Sequence, residues 1–365
     1  MLYWANPYQQ YISKKNKINK KISSVLNKNK YILGNEVLFL EKEFSKFIGS
    51  KHTVAVANGT DAIEIVLKSL EIGYGDEVLT VSHTALATVA AIESSGAKPV
   101  LVDVDSEYYT IDLNKIKSFF NKKIKAIIAV HIYGQSADIK ELQIFCKKKG
   151  IHLIEDCSQA HGSSFRKKKL GTFGIASCFS CYPTKNLGAI GDAGLIVTSN
   201  KSIAKKCHSI RQYGLYNGRS LIAGRNSRLD EIQAAILRVK LRELKKDNHL
   251  RVKVSKYYNT QLRNLPIKLP KVRKNSTHVF HLYVVQVKKR NALLNFMKKN
   301  DVILGVHYLI PIHLQPAYKN RLIISDMSIT EQISKNSVSL PIYPEIKKHE
   351  LDKVIKLLKI FYDKK

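Results

Sequence analysis

The order of apolar patterns in this chain predicts an α/β fold, with a mixed and mostly parallel sheet covered by helices and a small C-terminal α+β domain. Three observations carry that expectation. Short apolar runs alternate with helix-periodic segments from residue 53 to residue 199, as in a sheet whose crossovers are helices. His83, Asp156 and Lys185 fall at or just after the ends of these runs, where open α/β sheets collect their ligands. With 365 residues, 44% of them hydrophobic, the chain is long enough for two domains, drawn here at 1–246 and 247–365.

The first fifty residues read as helices. Residues 36–48 place Val37, Leu40, Phe44, Phe47 and Ile48 at helical spacing, and Gly49 closes the element. Residues 53–57 form a short strand. Asn58-Gly59-Thr60-Asp61 then turns into a helix over 62–70. A strand feeding a small-residue turn and a helix N-terminus leaves amides and a dipole free for an anion; the same four residues also make an ordinary helix cap. Strands follow at 77–81, 99–104, 126–131 and 152–155, with helices at 83–94, 112–120 and 138–149 between them. A strand at 193–199 leads to a basic helix, and the polar segment 224–231 opens a helix over 232–244. A second helix over 247–262 links to the smaller domain, where Pro266 and Pro270 break the chain. There, strands are expected at 279–287 and 302–306 and helices at 292–300 and 348–361.

Composition narrows the class. No apolar run reaches the ~18 residues of a membrane helix, and the first seven residues lack the layout of a secretory leader. The five cysteines give no disulfide framework, so a cytoplasmic location is expected. Cys178 and Cys181 form a C-x-x-C pair, but an offset of three on a strand points their side chains to opposite faces; no metal is assigned. Lys and Arg number 61 against 29 acidic residues, a net charge of +32. The excess is scattered through runs such as Lys122-Lys123, Lys147-Lys148-Lys149 and Lys364-Lys365. That reads as solvated turns and helix ends rather than a nucleic-acid stripe, and it would attract an anionic nucleotide diphosphate.

The chemistry is carried by residues 176–194. A short strand ends at Pro183, a single Lys185 follows, and Gly188, Gly191 and Gly194 recur at three-residue spacing. An abundant residue such as Lys is ordinarily exposed. Crowded among small residues at a strand end, however, its charged form is disfavoured and its amine becomes a nucleophile near neutral pH, as Schiff-base lysines require. One βαβ unit upstream, an apolar run ends in Glu155-Asp156, followed by Gln159 and His161. Strand, Asp, crossover, strand, Lys is the arrangement of a pyridoxal-phosphate enzyme, in which the Asp pairs with the ring nitrogen. A dinucleotide site is disfavoured, because Gly73-Tyr74-Gly75 lacks a third glycine.

At these residues the sequence resembles the DegT/DnrJ/EryC1/StrS sugar aminotransferases, of the aspartate-aminotransferase (type I) fold. The matching motifs run in order: Asn58-Gly59-Thr60-Asp61-Ala62, Gly75-Asp76-Glu77-Val78, Val130-His131-Ile132-Tyr133-Gly134-Gln135, Glu155-Asp156 with Gln159-Ala160-His161-Gly162, Tyr182-Pro183-Thr184-Lys185-Asn186-Leu187-Gly188, Asn226-Ser227-Arg228-Leu229-Asp230-Glu231, His307-Tyr308 and Ser339-Leu340-Pro341-Ile342-Tyr343-Pro344. The resemblance implies Lys185 and Asp156 as catalytic residues. It implies Gly59, Thr60, Ser180 and the neighbouring subunit's Asn226 at the cofactor phosphate, His83 stacked on the ring, and Gln159 near the phenolic oxygen. Tyr182, His307 and Tyr308 are the candidates for the sugar pocket. A homodimer with shared sites, a nucleotide-linked keto-sugar and an amino-acid donor (L-glutamate) are implied partners, within deoxyamino-sugar biosynthesis for a surface glycan. Lys185 argues against the dehydratase branch, where His stands in its place.

Gly188-Ala189 and Gly191-Asp192-Ala193-Gly194 look like the branch acting on 3-keto sugars, so a dTDP-3-keto-6-deoxyhexose is the expected substrate. A 4-aminotransferase on a UDP- or dTDP-linked 4-keto sugar is the alternative, and a non-catalytic regulatory or nucleic-acid-binding relative is the reading of another class. Cys181 in place of an aromatic residue, and Gln212-Tyr213 in place of Asn-His, depart from the family pattern.

Overall fold

In the computed structural model the described residues are 1–363, so the Lys364-Lys365 pair lies outside them. The core is an eight-stranded sheet. Its strands in chain order are β1 (His52–Val56), β2 (Glu77–Val81), β3 (Lys98–Val102), β4 (Ile124–Val130), β5 (His152–Asp156), β6 (Ala176–Ser180), β7 (Gly194–Thr198) and β8 (Ile323–Ile324). Across the sheet they run β8-β3-β2-β4-β5-β6-β7-β1. Every pair is parallel except those made by β7, which is antiparallel to both β6 and β1. The strand-rich part of the expectation is therefore observed, with ends shifted by a residue or two.

Two apolar layers sandwich this sheet. One gathers Ala62, Ile65, Val66, Ala91 and Ile92 against Val54, Ile128 and Ile196. The other packs Leu40, Phe44, Leu142 and Leu237 against Leu79, Ile127 and Leu195. Alternate residues of each strand feed opposite layers, which is why the strands read as continuous apolar runs. Cys178 lies in the first layer and Cys181 in the second.

The segments expected as two helices over 232–244 and 247–262 are one helix, Glu231–Leu262. The span holds neither Gly nor Pro, and nothing in the backbone stops it. At ~1.5 Å per residue it runs about 48 Å. Its first half packs on the sheet and its second half enters a separate C-terminal core, where Val254, Tyr258 and Leu262 meet Tyr283, Leu340 and Leu358. The expected boundary at 246/247 thus falls inside a continuous helix.

The two strands expected in the C-terminal part are shorter than expected, while the helices are observed at Arg290–Lys299 and Lys348–Asp363. The strand placed at 279–287 is Tyr283–Gln286, paired antiparallel with Ser337–Leu340, and that at 302–306 is Val302–Ile303. The latter pairs with Leu2–Tyr3 at the other end of the chain. Edge strand β8 escaped the sequence reading because two residues are too few for a period. No helix among the described residues is long and apolar enough to cross a membrane.

Candidate functional site

The parallel strands deliver their C-terminal ends to one side of the sheet, and β7 starts there because it runs the other way. Gly194 opposes Ser180 on one flank and Val56 on the other. A cavity of about 380 Å³ opens at this edge. Asn58, Gly59 and Thr60 line it from the turn after β1, Asp156 from the end of β5, Ser180 from the end of β6, and Tyr182 and Lys185 from the loop beyond. Gln159 and Tyr308 also form part of the wall.

The helix Gly59–Ser69 starts at the cavity, its cap made by Asn58, whose side-chain oxygen accepts from the Asp61 N–H at 2.8 Å. The turn lies so close to β6 that a Cβ on Gly59 would stand 2.6 Å from the Ser180 Cβ. Glycine brings the helix N-terminus against the Ser180 hydroxyl, and the pair forms a cradle of amides and hydroxyls suited to a phosphate. Gly59, Thr60 and Ser180 all line it.

Asp156 ends β5 with its carboxylate in the cavity. Thr88 donates its hydroxyl to Oδ2 at 3.2 Å and the Ser158 N–H donates to Oδ1 at 3.0 Å. Its neighbour Glu155 points to the opposite face, as strand alternation requires. There it accepts backbone N–H groups from Gly171, Phe173 and Gly174 at 2.7–2.8 Å and pairs with His131 at 3.1 Å. Of the two acids, only Asp156 is offered to a ligand. Thr88 is not singled out by the sequence; it lies in the first turn of the helix Leu86–Ser94, its hydroxyl 3.2 Å from that of Thr84 in the bend before it.

Burial pushes the Lys185 ammonium down to about 8, against an upward pull from Asp156. A neutral amine is thus accessible at moderate pH. Gln159 is fixed at both ends: its oxygen accepts the Tyr133 N–H at 2.7 Å and its amide donates to the Tyr308 hydroxyl at 2.9 Å. Tyr182 is half-exposed at the mouth.

Three sequence candidates lie elsewhere. His83 was expected to stack on the cofactor, but its side chain is buried behind the wall, and Thr84, Ala85, Ala87 and Thr88 line the cavity instead. The Tyr133 hydroxyl gives its one proton to the His307 carbonyl at 2.5 Å, so His83 donates from Nε2 to the Tyr133 oxygen, also at 2.5 Å. Burial pushes this imidazole down to about 3, which keeps it neutral. His307 does not line the cavity either. Its ring lies edge-on to Trp4, with centroids 4.7 Å apart, and its Nδ1 bonds the Ser339 hydroxyl at 2.8 Å. Asn226 is exposed, its side-chain oxygen accepting from Arg228 at 2.9 Å, outside the cavity of its own chain.

A helix N-terminus pressed on Ser180, a carboxylate held by Thr88 and a half-buried amine at Lys185 fit pyridoxal phosphate: phosphate, ring nitrogen and aldehyde each have a partner of the right chemistry. The fold and this site define a pyridoxal-phosphate enzyme of the aspartate-aminotransferase type. The profile of the DegT/DnrJ/EryC1/StrS aminotransferase family matches residues 12–359, and the chain belongs to that family of sugar aminotransferases. It is 41% identical over 339 residues to a dTDP-3-amino-3,6-dideoxy-alpha-D-galactopyranose transaminase of Aneurinibacillus thermoaerophilus, covering 93% of each chain. It is 37% identical to the "Pleiotropic regulatory protein" of Geobacillus stearothermophilus, over 97% of this chain and 96% of that one. The crystal structure of S. venezuelae DesV superposes with a TM-score of 0.96 at 32% identity, covering 99% of this chain and 98% of the other.

Proposed function

We propose that the protein aminates carbon three of a dTDP-3-keto-6-deoxyhexose, giving the dTDP-3-amino-3,6-dideoxyhexose with L-glutamate as donor. The observation that carries the reading is the convergence of Lys185, Asp156 and the N-terminus of helix Gly59–Ser69 on one cavity. The 41% identity to a dTDP-3-amino-sugar transaminase supports carbon three, as do Gly191-Asp192-Ala193-Gly194 after the lysine, with Asp192 on the cavity wall.

When bound, pyridoxal phosphate supplies an electron sink for bond breaking at the amine-bearing carbon. Asp156 holds the ring-nitrogen proton, and Thr88 and Ser158 fix its carboxylate for that task. The amides of residues 59 and 60 and the Ser180 hydroxyl take the phosphate. Lys185 would anchor the cofactor and, once released, serve as acid and base at the amine-bearing carbon in each half of the reaction, a role its lowered basicity favours. Tyr182 and Tyr308 line the side on which a sugar would sit. Residues 1–246 supply most of the cavity wall, and the C-terminal part adds Tyr308. Exposed Tyr213, Leu215, Tyr216, Leu221 and Ile222 around the hairpin before Asn226 favour a homodimer in which that segment meets a second copy.

The test is the visible spectrum followed by product structure. The protein loaded with pyridoxal phosphate should be yellow, bleach with glutamate and recover with 2-ketoglutarate, whereas Lys185→Ala should lose both the colour change and turnover. No bleaching in the wild type would favour the regulatory reading that the 37% relative raises. NMR of products from 3-keto and 4-keto sugars, each as dTDP and UDP conjugates, then fixes carbon and nucleotide. Amine only at carbon four would overturn the carbon-three assignment.

A further inference from the structure

The loop that carries Lys185 is irregular, and its own hydrogen bonds are few. The Lys185 N–H donates to the Tyr182 carbonyl at 2.8 Å and the Ala189 N–H to the Cys181 carbonyl at 2.7 Å. Between them the chain turns so sharply that a Cβ on Gly188 would stand 2.4 Å from the Pro183 oxygen. A loop of this kind would by itself sample many conformations, while a covalent anchor needs one.

The long helix Glu231–Leu262 supplies what the loop lacks. Gln233 is bonded twice to Ile190: its oxygen accepts the Ile190 N–H at 2.9 Å, and its amide donates to the Ile190 carbonyl at 2.8 Å. Lys240 donates to the Gly188 carbonyl at 2.6 Å and to the Gln10 side-chain oxygen at 2.8 Å. The Asn248 oxygen accepts the Asn186 amide at 2.8 Å, and the Asn248 amide donates to the His161 carbonyl at 2.8 Å. Asn186 also donates to the Val279 carbonyl at 3.1 Å. Positions 233, 240 and 248 are separated by seven and eight residues, close to two turns each, so they form one stripe along the helix. That stripe meets the loop at alternate residues 190, 188 and 186.

Lys240 is the unexpected member. It is 2% exposed, yet the nearby carboxylates Asp247 and Glu345 are engaged with Lys14 at 3.1 and 3.5 Å. A buried cation is expensive unless hydrogen-bonded, and a packing role alone would be better served by an apolar side chain. Its two acceptors are a loop carbonyl and the side chain of Gln10, from the helix Pro7–Ile12.

We propose that Gln233, Lys240 and Asn248 are positioning residues: together they hold the loop that aims the Lys185 amine into the cavity. The proposal rests on the reading of Lys185 as the cofactor-bearing residue. It gives the continuity of the helix across 246/247 a purpose, because one rigid element both grips the lysine loop and anchors the C-terminal core.

The experiment is amide hydrogen exchange on the cofactor-free full chain, followed by spectra and kinetics of the protein loaded with pyridoxal phosphate. Lys240→Met should speed exchange across residues 185–190 by about tenfold or more while β7 stays protected. It should lower kcat about tenfold, with KM for the donor within about twofold, because the amine is misplaced rather than the pocket lost. Gln233→Leu, at a half-exposed position, should loosen the same loop by about threefold and carries the test if Lys240→Met does not fold. Wild-type loop exchange and kcat in Gln233→Leu, or in a folded Lys240→Met of reduced melting temperature, would overturn the proposal. Exchange is read without cofactor or substrate, so a wild-type protein that fails to bleach with glutamate would strike the transaminase reading and not the grip on the loop.

Discussion

The Gln159 amide donates to the Tyr308 hydroxyl at 2.9 Å, across 149 residues of sequence. This contact ties the segment after β5 to the C-terminal part of the chain, and both residues line the cavity. Tyr308→Phe would leave a buried amide without its acceptor, at a cost of about 1–3 kcal/mol. In a double-mutant cycle with Gln159→Leu, the pair should cost less than the sum of the two singles by about 0.5–3 kcal/mol. Urea unfolding of the four proteins measures it, and additive losses would show that the contact does not form in solution.

Lys185 predicts a pH profile. Burial lowers its pKa from 10.5 to about 8, while Asp156 pulls in the other direction. Only the neutral amine attacks an aldehyde, so the fraction competent at pH 7 is about one in ten, against less than one in a thousand for an ordinary lysine. The rate of cofactor capture by the cofactor-free protein should therefore climb about tenfold per pH unit below 8 and level off above it. Asp156→Asn removes the upward pull, so its plateau should begin at lower pH. Stopped-flow absorbance after mixing with pyridoxal phosphate reads both curves, and a climb continuing to pH 10 would contradict the burial of the amine.

Gly59→Ala tests the phosphate cradle. The added Cβ would sit 2.6 Å from the Ser180 Cβ and 3.0 Å from its Cα, and the backbone side of that contact cannot swing away. The helix N-terminus must retreat from β6, weakening the amide contacts to an anion. The dissociation constant for pyridoxal phosphate should rise by about tenfold or more, with far-UV circular dichroism unchanged. Fluorescence titration with the cofactor checks it.

Much of this site was legible in the sequence, because its parts are local. Asp156 and Ser180 sit at strand ends and Lys185 follows in the loop beyond, and strands announce themselves by apolar runs. Asn58-Gly59-Thr60-Asp61 could be read as an anion turn from its own four residues. What escaped depends on long-range packing. His83 occupies a strand end like the others, but its side chain turns to Tyr133, fifty residues away, and no local pattern carries that partner. The same holds for Trp4 against His307 and for Lys240 under Gly188. The polar stretch Lys245-Lys246-Asp247-Asn248 carries no local sign that the long helix continues through it. In three dimensions Asp247 pairs with Lys14, and Asn248 bonds Asn186.

Asn226 sets the final prediction. In its own chain it is exposed, bonded to Arg228 and absent from the cavity wall. The hairpin just before it, Leu215–Tyr216 with Arg219–Ser220, presents apolar side chains to solvent. If a second copy covers that surface, Asn226 can reach the partner's phosphate cradle, and each site draws on two chains. A chain with Lys185 intact and Asn226→Ala is then complemented by one with Asn226 intact and Lys185→Ala. In a two-fold dimer with random exchange, half of the dimers are mixed and each has one complete site, so activity should return to about a quarter of wild type. Each parent alone should fall well below that level. Subunit exchange is verified by native mass spectrometry of the mixture. Mixed dimers without recovered activity would place Asn226 outside the partner's site and leave the roles of Lys185 and Asp156 unchanged.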